Sequence, residues 1–124
     1  MSPLVLAALA VTGGVGAASR YLVDDLINRL WRGSFPLATL LINITGSFLI
    51  GLLAVTLGTG SPAVFAVLAT GFCGGYTTFS TATVEAVRLA REGAWRQAAL
   101  AAGGTLVLCT AAATLGVLLG RVLG

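Results

Sequence analysis

The run Thr70-Gly71-Phe72-Cys73-Gly74-Gly75-Tyr76-Thr77-Thr78-Phe79-Ser80-Thr81 sets two adjacent glycines ahead of four hydroxyl side chains grouped around one aromatic ring. Adjacent glycines invite a break in a helix, and a break frees backbone carbonyl oxygens that suit a hard cation such as Na⁺. The competing reading is an unbroken glycine-rich helix whose hydroxyls bond back to the preceding turn. A second polar set, Thr39, Asn43 and Ser47, recurs every four residues and so shares one face of a helix. Thr110 and Thr114 repeat that spacing near the other end of the chain. Any one stripe is equally an interhelical hydrogen bond holding a bundle together, typically worth about 1 kcal/mol or less. Three matching stripes in one small chain suggest a pathway.

The chemistry of such a lining is selective. The apolar stretches hold no carboxylate and no His at their centres, so a proton relay has no carrier. Hydroxyl and amide donors, with the positive edge of the Phe79 ring, partner an anion without trapping it. That suits passive conduction, in which binding must be weak enough for release. Arg20, near the end of the first apolar stretch, either raises the local potential for anions or snorkels to the interface. The residues therefore point to a small-anion pathway with a structural cation. No nucleophile–base pair or metal-ligand spacing is visible, so an enzyme is not expected, nor is a nucleic-acid partner. Cys73 and Cys109 fall in separate apolar stretches and read as two buried apolar thiols.

These residues need elements to place them, and the composition says what those elements are. Of 124 residues, 57% are hydrophobic and 9% charged, against roughly 25% charged in a soluble domain. There are seven Arg, no Lys and four acids, too few charges to cover a water-soluble surface. Between Arg32 and Glu85 no side chain carries a charge, and a second uncharged run covers residues 97–120. About 20 apolar residues span a bilayer as a helix, so the first run holds two spans, divided at Gly58-Thr59-Gly60-Ser61-Pro62. The first apolar stretch lacks a basic leader and continues to Arg20 and Tyr21, so it reads as a span and not as a cleaved signal. The expected fold is an all-α integral membrane protein of one domain. Its four transmembrane helices fall near residues 3–23, 35–57, 63–84 and 97–120, with a break in the third. Helices this short enclose little alone, and Gly-rich faces (Gly13, Gly14, Gly16, Gly46, Gly51, Gly71/Gly75, Gly116/Gly120) prepare close packing within a subunit or between subunits. Arg29 and Arg32, then Arg88, Arg91 and Arg96, mark the first and third connections as cytoplasmic in a cell inner or plasma membrane.

Three segments together resemble the Fluc (CrcB-type) fluoride channels. They are Gly13-Gly14-Val15-Gly16-Ala17 with Arg20-Tyr21, Thr39 through Asn43 to Gly46-Ser47-Phe48, and Gly71 to Thr81. The resemblance covers essentially the whole chain, in order. It implies an antiparallel dimer in the lipid bilayer with two fluoride pores, a central Na⁺ at the helix breaks, and passive export of toxic fluoride. Carried over residue by residue, it makes Asn43 a pore-lining donor and Phe79 the first ring of a phenylalanine pair. Ser80 and Thr81 continue the polar track, Thr110 and Thr114 supply its last-helix part, and Thr39 lies in a vestibule near Arg20. The backbone carbonyls of Gly74 and Thr77 would hold the sodium.

The sequence departs from that pattern at Ala82, where the second phenylalanine would stand. The uneven Arg distribution is a second departure, since dual-topology subunits have nearly balanced loops. Together they suggest a subunit that inserts one way and pairs with an oppositely oriented paralogue, the alternative being an identical partner. A small four-helix multidrug exporter would need a membrane-embedded carboxylate, and the first acids, Asp24 and Asp25, fall at the end of the first span. A non-transporting assembly subunit would use the same polar stripes as glue.

Overall fold

A computed structural model describes residues 2–124, and among them there are helices and turns but no strand. Helix α1 is Pro3–Leu30, started by Ser2, whose hydroxyl accepts from the Val5 N–H, and by Pro3 in the first turn. Helix α2 is Leu37–Leu57, entered through Pro36 and left through the turn at Gly58–Gly60. The third span, Pro62–Arg91, has two parts. Its first part, α3, joins an α turn Pro62–Phe65, a π-helical stretch Ala66–Cys73 and a last α turn Gly74–Tyr76. Thr77 and Thr78 are extended, with ψ of 159° and 116°, and α4 restarts at Phe79–Arg91. A left-handed turn at Gly93 (φ 82°) leads into α5, Trp95–Leu123.

Four helical segments are long and apolar enough to cross a bilayer, as the hydropathy predicts, and the third is bent. The helices outrun the apolar stretches: α1 continues to Leu30 and α4 to Arg91. Hydropathy marks the part of a helix that sits in hydrocarbon, whereas backbone hydrogen bonding carries the coil on into the interface. There Arg29 pairs with Asp25 one turn earlier, at 3.0 Å.

Packing is by small residues in two parallel pairs. α1 lies along α3, where a Cβ added to Gly16 would overlap the Phe72 carbonyl and one added to Gly75 would overlap that of Gly13. α2 lies along α5, where Gly51 meets the Ala113 carbonyl and Gly116 that of Phe48. Both glycine pairs of GxxxG spacing, Gly71/Gly75 and Gly116/Gly120, are therefore spent on packing within the subunit. Between 6% and 22% of each spanning window is buried, so most of the apolar surface is left for lipid or another subunit. The two Arg-bearing connections lie at the same end, joined by a hydrogen bond from the Ser34 hydroxyl to Gln97 Oε1 at 2.9 Å.

Candidate functional site: a broken helix held by one asparagine

The break does not fall on the glycines. Gly74 and Gly75 stay helical, and the chain opens two residues later, at Thr77 and Thr78. Gly75 serves the close approach of α1, and Gly74 faces open space.

What opens the helix is Asn43. Its Oδ1 accepts from the Thr78 N–H at 2.8 Å and its Nδ2 donates to the Thr78 carbonyl at 2.9 Å. The carboxamide copies the pairing of a neighbouring strand. Because the Thr78 N–H can only donate and its carbonyl only accept, the amide has one possible orientation. Asn43 is 7% exposed, and both bonds are buried, so losing them would strand polar groups away from water. Gly46, one turn on, is the other half of this fit: a Cβ there would overlap the Thr77 methyl. The pairing uses one of the two Nδ2 N–H groups and leaves the second for a ligand.

The detour frees particular backbone atoms. In a continuous helix the Thr78 N–H would bond the Gly74 carbonyl, but it goes to Asn43 instead. The Thr81 N–H would bond the Thr77 carbonyl, but it donates to Thr78 Oγ1 at 3.2 Å. These are the two carbonyls expected to hold a sodium ion, and both are released from the helical ladder; their hard oxygens fit that ion. On the other side α4 begins, capped by Thr78. Its first turn presents the Phe79 and Ser80 N–H groups and the positive pole of the helix to the gap midway along the third span. The break sets a cation-favouring pole beside an anion-favouring one.

Two cavities flank the Asn43–Thr78 pair. One, of about 230 Å³, is lined by Asn43, Ser47, Thr77, Thr78, Phe79, Ala82, Thr105 and Cys109. The other, of about 260 Å³, is lined by Arg20, Tyr21, Asp24, Thr39, Thr78 and Thr81. The structure thus brings Asn43 and Phe79 together on one side and Arg20, Thr39 and Thr81 on the other. Phe79 is 86% exposed, and Ser80 beside it is exposed too.

Thr110 and Thr114 are not brought to either cavity. Their hydroxyls bond back to the Leu106 and Thr110 carbonyls, and they share an exposed face with Leu106, Val107 and Leu115. The residues of α5 that reach the cavity are Thr105 and Cys109. Spacing by four fits both stripes. The face toward α2 is marked instead by the small residues Ala101, Ala112, Gly116 and Gly120, which continue the line of Thr105 and Cys109. The place of Glu85 beside Thr39 was also not foreseen. The sequence places it at a span's end, yet α4 carries it inward, where the Thr39 hydroxyl donates to its Oε1. Cys73 is fully buried, as expected, whereas Cys109 is half-exposed on the cavity wall.

A multi-pass helical membrane protein with its third span broken at mid-depth, and the break tied to the second span by an asparagine, is the class that fold and site define. The chain belongs to the CrcB family: the model described as "CrcB-like protein, Camphor Resistance (CrcB)" matches residues 7–117. It is 50% identical over 122 residues to "Fluoride-specific ion channel FluC 1" of Leifsonia xyli subsp. xyli, covering 97% of this chain and 89% of the relative. It is 47% identical over 116 residues to "Fluoride-specific ion channel FluC" of Ruminiclostridium cellulolyticum (90% and 86% covered). With the protein of that name from Hydrogenobaculum sp. it shares 45% over 120 residues (94% of each).

Proposed function

We propose that this chain is one subunit of a fluoride-selective channel that lets the ion leave the cell passively and so limits its toxicity. The observation that carries the reading is the Asn43–Thr78 pairing, which aims an amide N–H and a helix N-terminus into a cavity beside the exposed edge of Phe79. Uncharged donors stabilise a small, strongly hydrated anion in partial exchange for its water and still release it. The names of the relatives agree with this reading, and the family is one of channels and not of enzymes.

The proposal extends to the assembly. An exposed Phe79, an exposed Gly74 and the hydroxyl-bearing face of Thr110 and Thr114 suit an antiparallel second subunit, either identical or an oppositely oriented paralogue. Across that interface Thr110 and Thr114 would complete the polar track begun by Ser80 and Thr81. A sodium ion between the subunits would be held by the Gly74 and Thr77 carbonyls and would supply structural charge only. By the positive-inside rule, Arg29, Arg32, Arg88, Arg91 and Arg96 support a cytoplasmic position for their shared end, in a cell inner or plasma membrane.

Fluoride efflux from liposomes carrying the purified chain tests this, read with a fluoride electrode and with chloride as control. Fast efflux selective for fluoride is expected; equal rates for the two halides would overturn it. Replacing Na⁺ by N-methylglucamine throughout purification should lower the efflux severalfold, with recovery when Na⁺ returns, because a bulky organic cation cannot occupy a carbonyl cradle.

A further inference from the structure

The π-helical stretch Ala66–Cys73 has a contact that the ion pathway does not use. The Thr12 hydroxyl of α1 lies 2.9 Å from the Val67 carbonyl, the second residue of that stretch. It also lies 2.9 Å from the Ala8 carbonyl and 3.2 Å from that of Leu9 in its own helix. Bonding back to Ala8 is the usual habit of a helical threonine, so the bond to Val67 needs independent support. Gly71 provides it: a Cβ at that position would overlap Thr12 Oγ1 and press on Thr12 Cβ at 3.2 Å. The place of a side chain on α3 is taken by the Thr12 hydroxyl. Gly13 and Gly16 continue the same seam against Gly75 and Phe72.

The π stretch matters because of where it ends. At its end the Gly74 N–H reaches the Ala69 carbonyl, five residues back instead of four, and is shared with the Gly71 carbonyl. Such bonds wind the chain less tightly, so the stretch leaves its last residue roughly 100°, one residue's worth, out of phase with a continuous α-helix. Five residues after its end, at Thr78, the chain must present the N–H and carbonyl together to Asn43. An α-helical register would turn both groups, and Phe79 after them, away from α2. π-type bonding is poor on its own and survives as short pieces where something else holds it.

We propose that Thr12 is a positioning residue: its hydroxyl, donated to the Val67 carbonyl, holds the π-helical stretch and thereby sets the rotation at which Thr78 meets Asn43 and Phe79 enters the cavity. The donor acts through α3 and touches no ion. The inference rests on the channel reading for its effect on flux, though not for its effect on the backbone.

Two substitutions and two readouts test it on the full chain in lipid. Thr12→Val removes the donor and keeps the branched shape; Thr12→Ser keeps the donor. With Thr12→Val, fluoride efflux per correctly folded protein should fall about three- to tenfold, the range spanned by single interhelical hydrogen bonds. Amide hydrogen exchange over residues 70–74 in nanodiscs should rise by a similar factor. Thr12→Ser should stay within about twofold of the native chain in both, as the retained donor requires. Native exchange at residues 70–74 in Thr12→Val would overturn the proposal, and so would a serine variant as impaired as the valine one, which would make Thr12 a space-filler. If the native chain passes no fluoride, the channel reading fails, and the exchange comparison still decides the role of Thr12.

Discussion

The two sides of the break at Thr77–Thr78 are built in opposite ways. On the α3 side, backbone touches backbone: Gly16 against Phe72 and Gly75 against Gly13 leave no room for a single methyl group. On the α4 side the first turn after the cap is bare, with Phe79 86% exposed, and the helix is held further along by the Thr39–Glu85 hydrogen bond and at its far end, where Leu89 packs with Ala98, Ala101 and Phe35. The tight side ends in released carbonyls and the open side begins with unpaired N–H groups. A cation held by carbonyls needs oxygens fixed in place by their neighbours. An anion in transit needs donors with room beside them. Asn43 is the joint between the two, since it holds both polar groups of Thr78.

The tight side should fail first. Gly74 and Gly75 are neighbours in sequence, yet only Gly75 is in contact with α1; a Cβ on Gly74 would meet nothing within 4 Å. Gly75→Ala drives a methyl into the Gly13 carbonyl, a clash with backbone that no side-chain rotation relieves, costing about 3 kcal/mol at the upper end of overpacking. A large drop in melting temperature, or loss of the folded species on size-exclusion chromatography, is expected. Gly74→Ala should leave the folded subunit intact, since its methyl meets nothing within the subunit. If the two variants behave alike, the seam is not what separates the two sides. Any flux lost in Gly74→Ala then belongs to its exposed carbonyl and not to folding.

The joint comes next. Asn43→Leu keeps the bulk of the side chain and leaves the Thr78 N–H and carbonyl buried without partners, each at about 1–3 kcal/mol. The subunit can relieve that by closing the break into a continuous helix, at the cost of the freed carbonyls and donors. Fluoride efflux should fall about 100-fold, equivalent to about 2.7 kcal/mol on the barrier. Thr39→Val, which removes one bond to Glu85 from the same stripe, should cost far less. Equal losses in the two variants would show that Asn43 is one polar residue among several and not the joint.

The residues that span and the residues that break were legible to different degrees. Hydropathy and charge are local properties, so four spans and the end that collects the arginines followed directly from composition. Asn43, Phe79, Thr39, Arg20 and Thr81 stood out because a polar or aromatic group at those depths asks for a partner, and the structure gives each one a place beside the break. The location of the break was not legible, because it depends on a contact 35 residues away, between Asn43 and Thr78. Local propensity puts it on the glycines, and those are claimed by α1. The α5 residues show a related ambiguity: Thr110/Thr114 and Thr105/Cys109 have the same spacing, and only the face that meets α2 tells which pair lies beside the break within one subunit. Glu85 was hidden because charge reads as the end of a span, while its helix runs on for another turn and a half to Arg91.

The open side gives the smallest effect and the most pointed comparison. Ala82 lies three residues after Phe79, on the same face, and both line the 230 Å³ cavity. A native homodimer would carry a single ring edge at each such position, so an anion leaving Phe79 meets a methyl group and then hydroxyls. Ala82→Phe places a second ring edge there. An aromatic contact of that kind is worth about 0.5–1.5 kcal/mol, or about two- to tenfold in rate. If the chain works with a paralogue that supplies the missing ring, the purified native chain should conduct slowly and Ala82→Phe should raise its fluoride efflux by that factor without altering assembly. If the native chain alone already conducts at full rate and Ala82→Phe slows it, the cavity is complete with one ring. The methyl of Ala82 is then the feature that keeps the open side open, and the second subunit need not be different from the first.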